Sequence, residues 1–286
     1  MNTYWVYENI RKQVSYYTKL DILLLFSSAT LWKKNHPTFT NILHVDQLTY
    51  DFISKCNALN LWDQIEIIPE NKFIDKNVFW ASAKLQTLRY VKGPSIIMDH
   101  DFLVYTSLEA HLQNKVVVAV EENGDKYYPT AYDEFMRAIS HKLKRPKLRA
   151  INCSFLYFPD HKFVNEYARR SLELMDVLTK LKAPNSRYLI VAEQMLLKHM
   201  LDEINVEYDS LMKAEWNCHK KVYDKYHKGI YDLEICDTKF RHYWMDKNKI
   251  KESKEGFNYQ EEIRILKNIL SRNKEINISE IDNLKY

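Results

Sequence analysis

The sequence predicts an α/β protein with a mostly parallel central sheet flanked by helices, and three observations predict it. Strand-like and helix-like segments alternate from the first residues onward. Ser95 to Met98 is a short apolar run, too brief for a helix and suited to a strand buried on both faces. Hydrophobic residues make up 46% of 286 residues, enough for one large domain, alone or with an appendage.

Taken in order, Thr3 to Tyr7 alternates aromatic and aliphatic side chains and reads as the first strand. Asp21 stands as a cap for a helix over Leu23 to Lys34 that stops before Pro37. Asn41 to Val45 is a second strand ending at Asp46, and Gln64 to Ile68 a third ending at Pro69. Asn77 can cap a helix from Phe79 to Val91, closed by Gly93 and Pro94. Val116 to Val120 and Arg149 to Phe158 are further apolar strands, with a turn at Asn123-Gly124-Asp125 after the first. His161 to Lys182 is amphipathic, with Val164, Tyr167, Ala168, Leu172, Met175 and Leu178 on one stripe. Asn185-Ser186 caps the next helix, Arg187 to Ile204. From Glu215 the chain is irregular, aromatic and basic, and Asn258 to Arg272 is a charged helix followed by a polar tail.

Composition excludes several function classes. Four glycines, at 93, 124, 229 and 256, cannot build a Walker loop or a dinucleotide turn, which need several within a few residues. Bound phosphate would therefore need a metal and basic side chains. A net charge of +4 does not indicate a nucleic-acid binder. Cysteines 56, 153, 218 and 236 lack zinc or disulfide spacing, so free thiols are expected. No apolar run is long enough to span a bilayer and the first residues lack a secretion signal, so the expected location is cytoplasmic. The basic run from Lys247 to Lys254 is either solvated or a peripheral contact with anionic lipid.

The chemistry gathers after Met98. Asp99 and Asp101 stand at i and i+2, so in extended chain both point to one side while His100 points away. Two like charges so close repel, and an oxygen-preferring divalent cation, Mn²⁺ or Mg²⁺, relieves the repulsion while leaving positions for a diphosphate. An Asp-x-Asp can also be the plain polar start of a loop; the buried strand before it and apolar Phe102, Leu103 and Val104 after it set this one apart. Lys84 leaves an otherwise apolar stripe of Trp80, Ala81 and Leu88, either snorkelling to water or placed near a diphosphate. Asn152, Cys153 and Ser154 are polar groups inside an apolar strand, and ligand hydroxyls are one possible set of partners. Glu193 has only apolar neighbours at helical spacing, Leu189, Ile190, Leu196 and Leu197, and Gln194 sits beside it. Such a carboxylate is exposed, salt-bridged or part of an active site. His242 is either packed in an aromatic stretch or a third metal ligand, with Lys247 a phosphate partner.

An opening strand, a Phe79-Trp80-Ala81-x-x-Lys84 helix, a buried strand ending in Asp99-x-Asp101, an Asn152-bearing strand, a Glu193-Gln194 helix and a late His242 follow one another. This succession resembles glycosyltransferases of the A-type (GT-A) fold over roughly residues 3–250, most specifically over 79–105. The resemblance implies a GT-A-like domain over 1–250, with a Rossmann-like nucleotide-sugar half about 1–107 and an acceptor half about 108–250, and a C-terminal helical tail over 251–286. It implies a metal-dependent transfer of a hexose from a nucleoside-diphosphate sugar, UDP-sugar above all, to a glycan or other hydroxyl acceptor. In that reading Asp99, Asp101 and His242 hold Mn²⁺ or Mg²⁺, Lys84, Asp99 and Lys247 serve the diphosphate, Asn152 the substrate, and Glu193 and Gln194 catalysis. The Asn strand, acid-Gln helix and late His are most similar to retaining enzymes that transfer galactose or glucose. Cys153-Ser154 stands where those relatives often have Ser-Gly, Glu193 where they often have Asp, and Asp246-Lys247-Asn248 where Lys-Pro-Trp is usual. Two rival readings are a nucleotidyl or phosphoryl transferase, since paired carboxylates at a sheet edge serve there too, and a non-catalytic carbohydrate-binding protein on the same fold.

Overall fold

The computed structural model describes residues 1–8, 17–69, 74–123, 149–180, 187–211, 216–217, 240–243, 246–253, 258–271 and 273–284. The sequence readings at Gly124-Asp125, Asn185-Ser186 and most of 215–239 lie outside them. In chain order the elements are β1 (Asn2–Tyr7), α1 (Lys19–Asn35), β2 (Thr40–Val45), α2 (Gln47–Lys55), β3 (Gln64–Ile67), α3 (Ser82–Leu88), β4 (Ser95–Met98), β5 (Phe102–Val104), β6 (Val116–Asn123) and β7 (Arg149–Phe158). They continue with α4 (His161–Thr179), α5 (Arg187–Ile190), a π-helical turn (Val191–Met195), α6 (Leu196–Glu203), β8 (Tyr208–Ser210), β9 (Trp216–Asn217), β10 (Phe240–His242), α7 (Asp246–Lys251), α8 (Tyr259–Leu270) and α9 (Ile278–Asp282). The chain is thus a mixed α/β protein whose strand pairings are mostly parallel.

The chain forms two compact units, one of Met1–Pro69, Met98–Ala110 and Tyr226–Tyr286, the other of Glu70–Ile97 and His111–Lys225. In the first, β1, β2 and β3 pair in parallel, as alternating strands and helices dictate. Helix α1 is buried on all sides from Ile22 to Ala29, because that run is apolar apart from Ser27 and Ser28. It is pinned to β1 by Trp5 Nε1 donating to Ser28 Oγ at 3.0 Å and Trp32 Nε1 donating to Thr3 Oγ1 at 3.1 Å. Ser28 Oγ and Asn35 Nδ2 also donate to the carbonyls of Phe102 and Val104, at 2.9 and 3.1 Å, which fixes β5 against the same helix. Helix α8 lies along α1, with Ser27 Oγ donating to Leu266 O at 3.4 Å. In the second unit the strand order is β4-β7-β6-β8, with β9 also on β6; β6 and β7 are antiparallel, with a register shift between Val118 and Val120.

Several boundaries differ from the sequence reading. Thr18, not Asp21, caps α1: its hydroxyl accepts from the Asp21 backbone N–H at 3.2 Å, and Asp21 lies inside the first turn. The helix expected over Phe79 to Val91 is shorter, Ser82–Leu88, because Asp75, not Asn77, organises a turn ahead of it, accepting from the Asn77 N–H at 2.9 Å. It also ends before Gly93, whose φ of +70° suits a glycine and sets the chain into β4.

Candidate metal centre

The acids do not sit on extended chain. β4 ends at Met98, and Phe102 N–H donates to Asp99 O at 3.1 Å, closing a turn over 99–102 between β4 and β5. The turn, rather than strand alternation, brings the two carboxylates together. β10 then adds to β5 antiparallel, with His242 opposite Phe102, and Tyr243 N–H donates to Asp101 O at 3.0 Å. That register delivers His242 to the acids, its Nε2 3.6 Å from Asp101 Oδ1. One ligand atom from each of Asp99, Asp101 and His242 lies within 4.8 Å of the others. Around an ion bonded at about 2.1 Å, ligand atoms stand roughly 3 to 4.2 Å apart, so a small contraction would complete the set. Two carboxylates and an imidazole, with no sulfur, form a donor set that fits a divalent cation.

His100 does not simply point away. It faces Asp21 Oδ1 at 3.9 Å and Lys247 Nζ at 3.5 Å and meets Tyr7 edge-on at 4.9 Å. Lys247, from the first turn of α7, reaches Asp101 Oδ2 at 2.8 Å and Asp21 Oδ1 at 3.7 Å. Lys251, one turn further on the same face, reaches Asp21 Oδ2 at 3.4 Å. Asp101 therefore offers one oxygen to the ammonium and turns the other toward His242. Burial pushes the Asp101 carboxyl up, but Lys247 and the hydrogen bond from His242 outweigh it and hold it well below the usual range. Burial likewise opposes ionisation of Asp21 and of Lys247, and is again outweighed: the hydrogen bond from His100 and the charge of Lys247 lower the Asp21 carboxyl, and the charges of Asp101 and Asp21 raise the Lys247 amine. All these groups are in the first unit. Sequence reasoning missed Asp21 and Lys251. The available signals were an acid set among Leu20, Ile22 and Leu23, and a second lysine four residues after Lys247.

The remaining predicted residues belong to the second unit. Lys84 does not snorkel to water; at 7% exposure its amine sits 2.7 Å from Glu193 Oε1 and donates to Cys153 O at 3.1 Å. Glu193 is likewise buried, so of its three readings the exposed one falls. It lies on the π-helical turn, where Leu196 N–H donates to Val191 O five residues back and Tyr167 OH donates to Glu193 O at 3.0 Å. Gln194, half-buried, is on the same turn. Asn152 is buried on β7 and accepts from Ser154 N–H at 3.0 Å.

Fold and site together define an α/β protein with an acid–acid–imidazole cluster, a candidate cation site, backed by a lysine. Residues 16–263 match a model described as a family of unknown function (DUF6734), and the chain belongs to that family. No curated protein matches it. Among solved structures it is similar to the glycosyltransferase GlyE of Streptococcus pneumoniae TIGR4, at 14% identity and a TM-score of 0.44 over 85% of this chain; it spans only 54% of the GlyE chain. It is also similar to the galactosyltransferase LgtC in complex with donor and acceptor sugar analogues, at 11% identity and a TM-score of 0.42, covering 80% of this chain and 94% of that one. A third is mouse xyloside xylosyltransferase 1, at 10% identity and a TM-score of 0.43, covering 85% and 97%. Among the described residues no helix is long and apolar enough to cross a membrane.

Proposed function

We propose that the protein is a metal-dependent glycosyltransferase that moves a hexose from a nucleoside-diphosphate sugar, UDP-sugar foremost, to an acceptor hydroxyl. The observation that carries this reading is the convergence of Asp99, Asp101 and His242 on one point with Lys247 beside them. A divalent ion held there supplies a Lewis acid for the charge that grows on a leaving diphosphate. Asp99 is the more accessible carboxylate and Asp101 is buried, so Asp101 fixes the geometry while Asp99 is open to solvent and ligand. Lys247 adds a fixed positive charge close to the same place, and a preorganised charge of that kind costs no reorganisation as the bond breaks. Glu193, Gln194 and Asn152 are assigned to the sugar: Gln194 as a polar contact, Glu193 as a carboxylate held by Lys84, and Asn152 as a hydrogen-bonding group.

The test is turnover at saturating Mn²⁺ with a panel of nucleotide sugars. Turnover by Asp101→Asn should fall about 100-fold, against release of sugar and nucleoside diphosphate by the wild type. Wild-type rates in the variant sink the reading, and release of pyrophosphate from a triphosphate replaces it with nucleotidyl transfer.

A further inference from the structure

Helix α8 carries Glu262, which is 0% exposed although it is a carboxylate. Arg241 of β10 meets it with two hydrogen bonds, Nη2 to Oε1 at 2.9 Å and Nη1 to Oε2 at 3.1 Å, and Tyr243 OH donates to Oε2 at 3.2 Å. The Arg241 guanidinium also lies 3.9 Å over the Tyr243 ring. A bidentate arginine–carboxylate pair is directional as well as strong, so it fixes orientation and not just proximity.

What it orients is the strand that bears His242. Side chains alternate along a strand, so Arg241 and Tyr243 take one side of β10 while Phe240 and His242 take the other. β10 has three residues, and a ladder that short constrains its register weakly without help from side chains. Its partner β5 is tied to α1 through the carbonyls of Phe102 and Val104, and α1 is tied to α8 through Ser27 and Leu266. The path therefore closes on itself, from α8 through Glu262 and Arg241 to β10, across to β5, and back through α1. All of it lies within the first unit.

We infer that Glu262 and Arg241 are positioning residues for the cation site, and that α8 sets its affinity by holding His242 in register beside Asp101. The inference rests on the cation reading above. Helix α8 is then part of the metal-binding apparatus, although Glu262 is not among the three residues that would hold the ion.

The experiment is titration of the full-length chain with Mn²⁺, free ion being followed by its EPR signal, with thermal unfolding in chelator run on every variant. Glu262→Gln keeps the shape and removes the charge; Mn²⁺ should bind about 10 to 100 times more weakly, as for other partners that orient a ligand. Tyr243→Phe removes one hydrogen bond and should weaken binding a fewfold. Glu261→Gln, on the exposed neighbour that pairs with Arg264, should leave the affinity unchanged. A purely structural clamp would lower the melting temperature of Glu262→Gln in chelator yet leave its Mn²⁺ affinity at the wild-type value, and that result overturns the inference while the cation reading stands. Should Glu262→Gln fail to fold, an unchanged affinity in Tyr243→Phe overturns it equally. Absence of saturable Mn²⁺ binding in the wild type removes the cation reading and the inference with it.

Discussion

His36 is buried at the end of α1, and both of its ring nitrogens are engaged. Nδ1 donates to Trp32 O at 3.3 Å, Nε2 accepts from the Leu108 N–H at 2.8 Å, and the ring stacks on Trp32 at 3.7 Å. Only the neutral ring can accept at Nε2, and protonation would break the bond to Leu108. Burial pushes its pKa down to about 4, against a smaller opposing effect of the Trp32 carbonyl. The unfolded chain protonates near the ordinary value, about 6.5, while the folded chain does not. The contribution of His36 to stability is therefore complete above that pH and is lost as pH falls from about 6.5 to about 4. Denaturation of wild type and His36→Leu across that window should show the difference between them shrinking with acid, and an NMR titration of His36 should find its midpoint near the lower end. At this scale the sequence was partly readable. Asp99, Asp101 and His242 stand out by residue type and by the apolar run before them, whereas His36 has no local mark, because its partners come from a helix turn and from a loop 72 residues away.

At the scale of elements, the link between α3 and the helix Arg187 to Glu203 is a buried charge pair, Lys84 and Glu193, 2.7 Å apart. Removing one member strands the other in a low-dielectric site, a cost of about 3 to 5 kcal/mol, whereas replacing both with apolar groups of similar size is close to neutral. Lys84→Met and Glu193→Gln should each lower the urea midpoint strongly, and Lys84→Met/Glu193→Leu should recover most of the loss. If Glu193 also serves the sugar, the double variant will be folded and inactive; recovered turnover would leave the pair a structural role only. The limits of β1 to β4 and of β7 were legible here to within a residue or so, since apolar runs begin and end there, whereas β6 runs three residues past Val120 and the short strands β5, β8, β9 and β10 had no mark of their own. The π-helical turn was not legible, since one extra residue in a turn leaves the 3.6-residue spacing nearly intact while rotating everything after it. It lets Val191 to Leu197 turn inward, apart from half-buried Gln194, more than a regular helix could bury on one face. Turn closure over 99–102 was hidden for a related reason: Asp-His-Asp fits extended chain or a turn equally, and the choice depends on β10 arriving from 140 residues later.

For the whole molecule, the two compact units are each assembled from separated stretches of chain, so a ligand that binds in one should leave a localised mark. Every residue of the candidate cation site, with Lys247, Asp21 and the Glu262 clamp, belongs to the unit formed by 1–69, 98–110 and 226–286. A ligand that binds the folded state alone stabilises it by about 2.7 kcal/mol at one hundred times its dissociation constant. Amides whose exchange requires opening of that unit should slow accordingly, by about a hundredfold. Hydrogen exchange in saturating Mn²⁺ against chelator should therefore slow the amides of β5 and of β10, including those of Phe102 and Tyr243, which close the turn and the register around the acids. The amides of β7 and α4, in the other unit, should exchange at the same rate with Mn²⁺ alone. Addition of UDP to the Mn²⁺ form should deepen protection at α7, whose Lys247 and Lys251 present the nearest positive charge. Equal slowing throughout both units would mean that the ion stabilises the chain nonspecifically, and protection confined to β7 and α4 would place its binding site elsewhere.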